Sequence, residues 1–353
     1  MVRTAHLERA HEFSPASIVY REKRYDYDPA LEAGLDIVRA GDVRAALLLA
    51  RSGVETLEVN EPLMISAAAR SALAIAAVRV AGTLRRRRTS VVSYAIENLY
   101  PPVPASLKGR IGRRARLVLA RFVHANLDRL AFGTDASREL YRRAFGSGGA
   151  TTTTIPALPS AVHQDTTRGR PSLAVFLGAF DERKGLPLLL DAWPLVRERR
   201  ADARLLLMGK GPLESLAREA AATDTSIELL VDPPRDTISD ALAGAKVLVL
   251  PSQRRPRWRE QVGLPIVEGL AAGCVVVTTS ETGLADWLTD EGHFVIPADA
   301  DAATLAAAVS GALGDGRAPA DLLAALPSTD GRRAADDWLF GRRIAPHESM
   351  ATA

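Results

Sequence analysis

Two acids, Glu260 and Glu268, frame the stretch Glu260-Gln261-Val262-Gly263-Leu264-Pro265-Ile266-Val267-Glu268. An ionised carboxylate accepts from two hydroxyls at once, so acids spaced along one edge suit a ligand rich in hydroxyl pairs. The ribose and hexose of a sugar nucleotide are such a ligand. Flanking apolar runs place the pair: Val247–Leu250 reads as a buried strand ending at Pro251-Ser252, and 274–278 reads as the next strand. Between them the spacing predicts a short helix over 263–272, with Pro265 in its first turn and Gly273 closing it. Glu260 then precedes the helix and Glu268 lies within it. With a rise of about 1.5 Å per helical residue plus an extended lead-in, the carboxylates would stand on the order of 10 Å apart, the span of two sugars across a diphosphate.

Lys184 follows an earlier apolar run, Leu173–Leu177, by a short loop and precedes another helical pattern. A lysine beside the open N–H groups of a helix start is suited to phosphate, although a solvated loop lysine is the commoner use. Gly178, Gly185, Gly209 and Gly211 shift the balance, because each lets backbone approach a ligand closely at a strand end. Glu268 is the natural partner of a ribose diol. Glu260, beside the amides of Gln261, Val262, Gly263 and Leu264, would serve sugar hydroxyls.

The elements that must hold these residues alternate regularly from Leu173 onward. Strands are expected at Leu173–Leu177, 204–208, Ile227–Val231, Val247–Leu250, 274–278 and 293–296, with helices at 187–197, 213–222, 237–244, 263–272, 283–288 and Ala302–Leu313. Strand and helix alternation without hairpin turns implies right-handed crossovers and a parallel sheet, whose ligands sit beyond the carboxyl ends of the strands. Gly178, Arg183, Gly209, Val231, Ser252 and Arg254 fall on that edge. The first half is less regular: 55–59 and Ser90–Ala95 read as strands and 113–130 as a helix. The expected division is an N-terminal α/β domain at 1–160, a proline-containing linker at 161–171, a nucleotide-sugar domain at 172–325 and a tail at 326–353 whose apolar cluster is Trp338-Leu339-Phe340.

The stretch from Trp258 through Glu268 to Val277, with Phe176 to Gly185, Met208 to Pro212 and Leu248 to Ser252, resembles the family 4 retaining glycosyltransferases of the GT-B fold. The resemblance covers roughly residues 170–313. It implies two Rossmann-like parallel-sheet domains facing each other across a cleft, the donor held in the second domain and the acceptor in the first. It also implies retention of anomeric configuration, no metal and no cofactor beyond the nucleotide-sugar donor. Glu268 would hold the ribose, Glu260 the transferred sugar, Lys184 the diphosphate, and the amides of Val262 to Leu264 the sugar hydroxyls. Departures are visible: Ala179 stands where the family usually has arginine, for which Arg183, Arg254 or Arg255 could substitute. The glycine-rich loop near the family's N-terminus has no counterpart, and Glu97-Asn98 occupy the place of the usual histidine after a middle strand. Glu97 is therefore the candidate for orienting the acceptor hydroxyl.

Composition bounds the partners. Of 353 residues, 45 are basic and 42 acidic, for a net charge of +3. Residues 1–165 hold 24 basic and 16 acidic side chains, and within 85–121 ten basic residues meet one acid, Glu97. Such a field suits an anionic membrane surface or a phosphorylated acceptor, as well as a merely solvated face. Nucleic acid is not expected, because aromatic residues are only 5% and no stacking motif accompanies the charge. No apolar leader follows Met1, no run of eighteen apolar residues occurs, and the single Cys274 sits in an apolar run. The expectation is a cytoplasmic protein, peripheral on the inner face of the membrane, that transfers a hexose to a glycan or lipid-linked acceptor. The alternative is a nucleotide-sugar-binding protein that has lost turnover.

Overall fold

The structure, a computed structural model, describes residues 2, 4–24, 27–161 and 169–341. The chain forms two compact units. The first comprises the described residues up to Gly133, then Ser137–Ile155, then those from Arg332 onward; the second comprises Thr134–Ala136 and Pro156–Gly331. Most of the expected linker (161–171) and the last part of the expected tail (326–353) lie outside the described residues.

The first unit runs α1 (Thr4–Glu12), β1 (Ile18–Tyr20), β2 (Ile37–Arg39), α2 (Asp42–Arg51), β3 (Thr56–Glu58), α3 (Ala68–Arg85), β4 (Ser90–Ala95), α4 (Leu107–Ala125), β5 (Arg129–Phe132), α5 (Asp135–Phe145) and β6 (Thr151–Thr154). Strands β3 to β6 form a parallel sheet in sequence order, and β1 pairs with β2 in a separate parallel ribbon. Ile75 and Val78 of α3, Val91 and Ala95 of β4, Val123 of α4, Leu130 of β5 and Tyr141 of α5 share one buried core. The two arginines that interrupt the apolar run of α3 each find a different neighbour. Arg70 donates to Val19 O, Ala40 O and Asp42, whereas Arg79 donates to Thr89 O, Asn126 O and Asp128. The helix expected at 113–130 is shifted. Ser106 caps α4 by accepting from Gly109 N, and the helix stops at Ala125 because 129–132 is needed as a buried strand of the sheet.

The second unit runs β7 (Leu173–Leu177), α6 (Leu186–Arg199), β8 (Arg204–Gly209), α7 (Glu214–Thr223), β9 (Ile227–Val231), α8 (Arg235–Gly244), β10 (Val247–Leu250), α9 (Leu264–Ala271), β11 (Val275–Thr279), α10 (Ala285–Asp290), β12 (Phe294–Ile296), α11 (Ala302–Leu313) and α12 (Pro319–Ala324). All six strands are parallel, in the order β12-β11-β10-β7-β8-β9. This is a doubly wound sheet: β7 to β9 build outward in one direction, then the chain returns to β10 beside β7 and builds the other way. Strands β10 and β11 are buried throughout, which is why they read as continuous apolar runs and not as alternation. Helix α13 (Gly331–Phe340) then rejoins the first unit, packing Ala335 and Leu339 on Val92 and Ala131.

Candidate functional site

A doubly wound sheet opens a crevice where its strand order reverses, between β7 and β10. Lys184 reaches that point from the loop after β7, and Ser252 and Glu260 reach it from the segment after β10. The turn at Lys184 is set locally: Asp181 accepts from Arg183 N at 2.8 Å, and Gly185 takes φ +78° before α6 begins. Lys184 Nζ donates to Glu260 Oε2 at 2.5 Å, and Ser252 Oγ donates to the same oxygen at 2.9 Å. Lysine and glutamate are both buried, at 9% and 7% exposure, so the carboxylate is what makes a buried ammonium tolerable. Trp258 lies beside them, with Lys184 Nζ 5.2 Å and Arg183 Cζ 4.8 Å from the ring centroid. Two cations thus lie within cation–π range of one aromatic ring.

Glu260 and Glu268 diverge. Gly263, at φ +86°, turns the chain into α9, leaving Glu260 before the helix and Glu268 in it, as the spacing predicts. Glu268 is half-buried and meets Arg235 of α8 at 3.1 Å, so its visible partner is a guanidinium across a neighbouring helix start. Gly209 and Val231 pair in register at the ends of β8 and β9, where Asp232 N donates to Gly209 O. Gln261 and Val262 are tied to the loop after β11: Gly283 N donates to Gln261 O and Thr282 Oγ1 to Val262 O. Gly178 follows β7 at φ +151°, and Leu264 is exposed.

Sequence reasoning missed the fixed point of this loop cluster. Glu281, 1% exposed, holds Arg254 at 2.8 Å and Arg259 at 3.2 Å. The polar run 280–283 directly after buried strand β11 was the signal for it. Of the three arginines considered as replacements at Ala179, Arg254 is therefore held by Glu281 and Arg255 by Glu182 at 2.8 Å. Arg183 sits 3.6 Å from Asp181 and shares Trp258 with Lys184.

In the first unit Glu97 follows β4 and accepts from Leu99 N at 3.0 Å. Its neighbour Glu61, not singled out in the sequence, is buried and accepts from Ile96 N, Glu97 N and Tyr141 Oη at 3.0–3.2 Å. Burial pushes the Glu61 carboxyl up to about 7, and the nearby Glu97 charge adds to the rise. Cys274 is buried, and burial pushes its thiol up to about 11, which keeps it protonated. Among the described residues no group of three or more His, Cys, Asp or Glu side chains could hold a metal ion, and no helix is long and apolar enough to cross a membrane.

Residues 171–315 match the family described as glycosyl transferases group 1. The phosphatidyl-myo-inositol mannosyltransferase of Mycobacterium tuberculosis is 32% identical over 157 residues, which is 43% of this chain and 40% of that protein. The chain thus matches well under half the length of that relative. Among solved structures, WaaG, a glycosyltransferase involved in lipopolysaccharide biosynthesis, aligns over 94% of this chain and 89% of its own at 14% identity, with a TM-score of 0.51. Anabaena HepE in complex with UDP aligns over 85% and 78% at 14% identity, with a TM-score of 0.55. At such identities the likeness bears on fold alone, and the fold is GT-B.

Proposed function

Taking residues 171–315 as a member of the group 1 glycosyl transferases, we propose that this chain is a retaining, metal-independent hexosyltransferase using a nucleoside-diphosphate sugar. The observation that carries the reading is the buried Lys184–Glu260–Ser252 cluster at the switch point of the second sheet. An incoming diphosphate offers Lys184 a second anionic partner. As the ammonium turns to phosphate oxygen, Glu260 is freed to accept from hydroxyls of the transferred sugar. Arg183, beside the same Trp258 ring, supplies the second positive charge that Ala179 lacks. Glu268 accepts from the ribose diol while Arg235 keeps its carboxylate oriented.

The bond between the anomeric carbon and the phosphate oxygen breaks as the acceptor oxygen bonds to the same face. The acceptor proton passes to the departing diphosphate. Lys184, Arg183 and the N-terminus of α9 stabilise the charge that develops there. Glu97 orients the acceptor hydroxyl in the first unit. The names of the relatives are those of transferases, which favours turnover over the binding-only alternative.

The acceptor is a cytoplasmic or lipid-linked glycan, reached by a protein peripheral on an anionic membrane through 85–121. That part rests on α4, whose exposed Leu107, Ile111, Val118 and Phe122 recur every four or seven residues among Lys108, Arg110, Arg114 and Arg121. Thermal shift against UDP, GDP, ADP, TDP and their common sugars tests the donor site, and transfer to membrane extract tests the reaction. A rise of several degrees with one base, abolished in Lys184→Met, is expected. No shift with any nucleotide, together with no transfer, would sink the proposal.

A further inference from the structure

Helices α2 and α3 of the first unit pack side by side and leave an apolar groove of about 580 Å³ along their outer face. The sequence explains why it stays open. In α2, Ala45 and Ala46 are buried, Ala46 at the floor of the groove, while Val43 and Leu47 are 68% and 53% exposed. In α3, Ala68, Ala72, Ile75 and Val78 are buried, while Val80 and Leu84 are 62% and 80% exposed. A surface helix ordinarily carries polar residues on the face it turns to water; here two adjacent helices turn apolar ones outward.

Both helices end at the same point, in Arg51 and Arg85, and Arg85 Nη1 donates to Ser52 O at 3.3 Å. Arg86 and Arg87 follow, lining with Arg88 a second depression of about 390 Å³. Arg88 is paired with Asp128 at 2.7 Å, but among the described residues none of Arg51, Arg85, Arg86 and Arg87 has an acidic partner. An apolar slot that opens on unneutralised guanidinium groups has the polarity of an anionic amphiphile.

We propose that this groove takes one acyl chain of an anionic phospholipid drawn from a bilayer, its phosphate on Arg51, Arg85 and Arg87. Charge complementarity selects this occupant over a second copy of the chain. A two-fold contact would bring two sets of the same unneutralised arginines to one interface. The inference rests on the peripheral-membrane part of the proposed function and adds a site distinct from α4, sharing only Arg85 and Arg87 with the basic stretch 85–121. It is independent of the donor reading, since every groove residue lies in the first unit.

The test is flotation with vesicles of phosphatidylcholine alone or mixed with phosphatidylglycerol. It compares wild type, Val80→Asp/Leu84→Asp, Arg85→Ser/Arg87→Ser and, in α4, Ile111→Asp/Val118→Asp. The changed side chains are at the surface, and unaltered melting would verify folding. A second readout is the emission of Val80→Trp with phosphatidylglycerol brominated on its acyl chains. The expected result is at least a tenfold loss of affinity for anionic vesicles in both groove variants and quenching of Val80→Trp. Wild-type binding by the groove variants with no quenching overturns the proposal. So does a dimer in sedimentation that Val80→Asp/Leu84→Asp splits while vesicle binding persists. Loss confined to the α4 variant leaves the α4 contact standing and removes this one. Donor binding, read by nucleotide thermal shift without vesicles, fails or succeeds separately.

Discussion

Lys184 and Glu260 are 76 residues apart in sequence and 2.5 Å apart in space, in a setting where neither charge is easily left alone. Removing one partner of a buried pair strands the other, at a cost of roughly 3–5 kcal/mol, whereas replacing both with apolar groups is far milder. Lys184→Ala should accordingly destabilise the second unit more than Lys184→Met/Glu260→Leu does in urea unfolding, while both variants lose transfer. Equal destabilisation would mean that the pair is not coupled in solution. Glu61 offers a separate test through pH. Its carboxyl rises from an ordinary value of 4.5 to about 7, so the folded first unit keeps a proton that the unfolded chain has lost. Its contribution is complete below about pH 4.5, declines as pH rises to about 7 and is level beyond; two to three units correspond to roughly 3 kcal/mol. Glu61→Gln, which retains an acceptor for Ile96 N and Glu97 N, should flatten that decline in denaturant midpoints between pH 5 and 8. His293 in the second unit runs oppositely. Burial lowers it from 6.5 to about 4, and its Nδ1 accepts from Val276 N. Stability from the neutral ring is present above about 6.5 and lost as pH falls to about 4, so His293→Gln should lessen acid sensitivity in the same assay.

The elements around the site depend on two glycines. Gly185 has φ +78° between Lys184 and α6, and an added Cβ would overlap the carbonyl oxygen of Pro251. Gly263 has φ +86° at the start of α9, where a Cβ would stand 3.0 Å from Ile266 Cδ1. The left-handed conformation alone costs a side-chain-bearing residue roughly 1–2 kcal/mol. Gly185→Ala should therefore lower the melting temperature more than Gly263→Ala, since only the former meets rigid backbone. It should also weaken nucleotide-induced stabilisation by displacing Lys184. An unchanged donor shift in Gly185→Ala would show that the loop is not part of the donor site. The second unit was legible in the sequence because strands buried on both faces leave unbroken apolar runs such as Val247–Leu250, punctuated by glycine and proline. In the first unit, β1, β2 and β3 are three residues each, too short to show a period, and the alanine-rich α3 hides which face is inward. Glu260, Glu268 and their helix could be placed from spacing alone. The Lys184–Glu260 contact could not, because it is created by the return of β10 to the side of β7. Glu61 escaped notice for a related reason, as nothing local in its stretch of sequence announces that the acid will be buried.

At the scale of the whole molecule, the first unit is completed by a segment that follows the second. Leu339 and Ala335 of α13 cover Val92 and Ala131, Asp336 accepts from Ser14 N and Oγ, and Arg129 donates to the carbonyls of Trp338 and Leu339. Leu339→Ala should cost the first unit roughly 2–5 kcal/mol, as for other buried leucines. Unfolding followed by first-unit probes should shift while the nucleotide-stabilised transition of the second unit stays in place; parallel shifts of both would show that the units unfold as one. The connectivity also sets a timetable. A ribosome delivers the strands of the first sheet early but their covering helix only after all of β7 to α12, and chains emerge at about 5–20 residues per second. Val92 and Ala131 therefore wait on the order of ten seconds for Ala335 and Leu339, while the second unit, uninterrupted from Pro156 to Gly331, has all of its sheet in hand beforehand. The second unit can mature before the unit that precedes it in the gene.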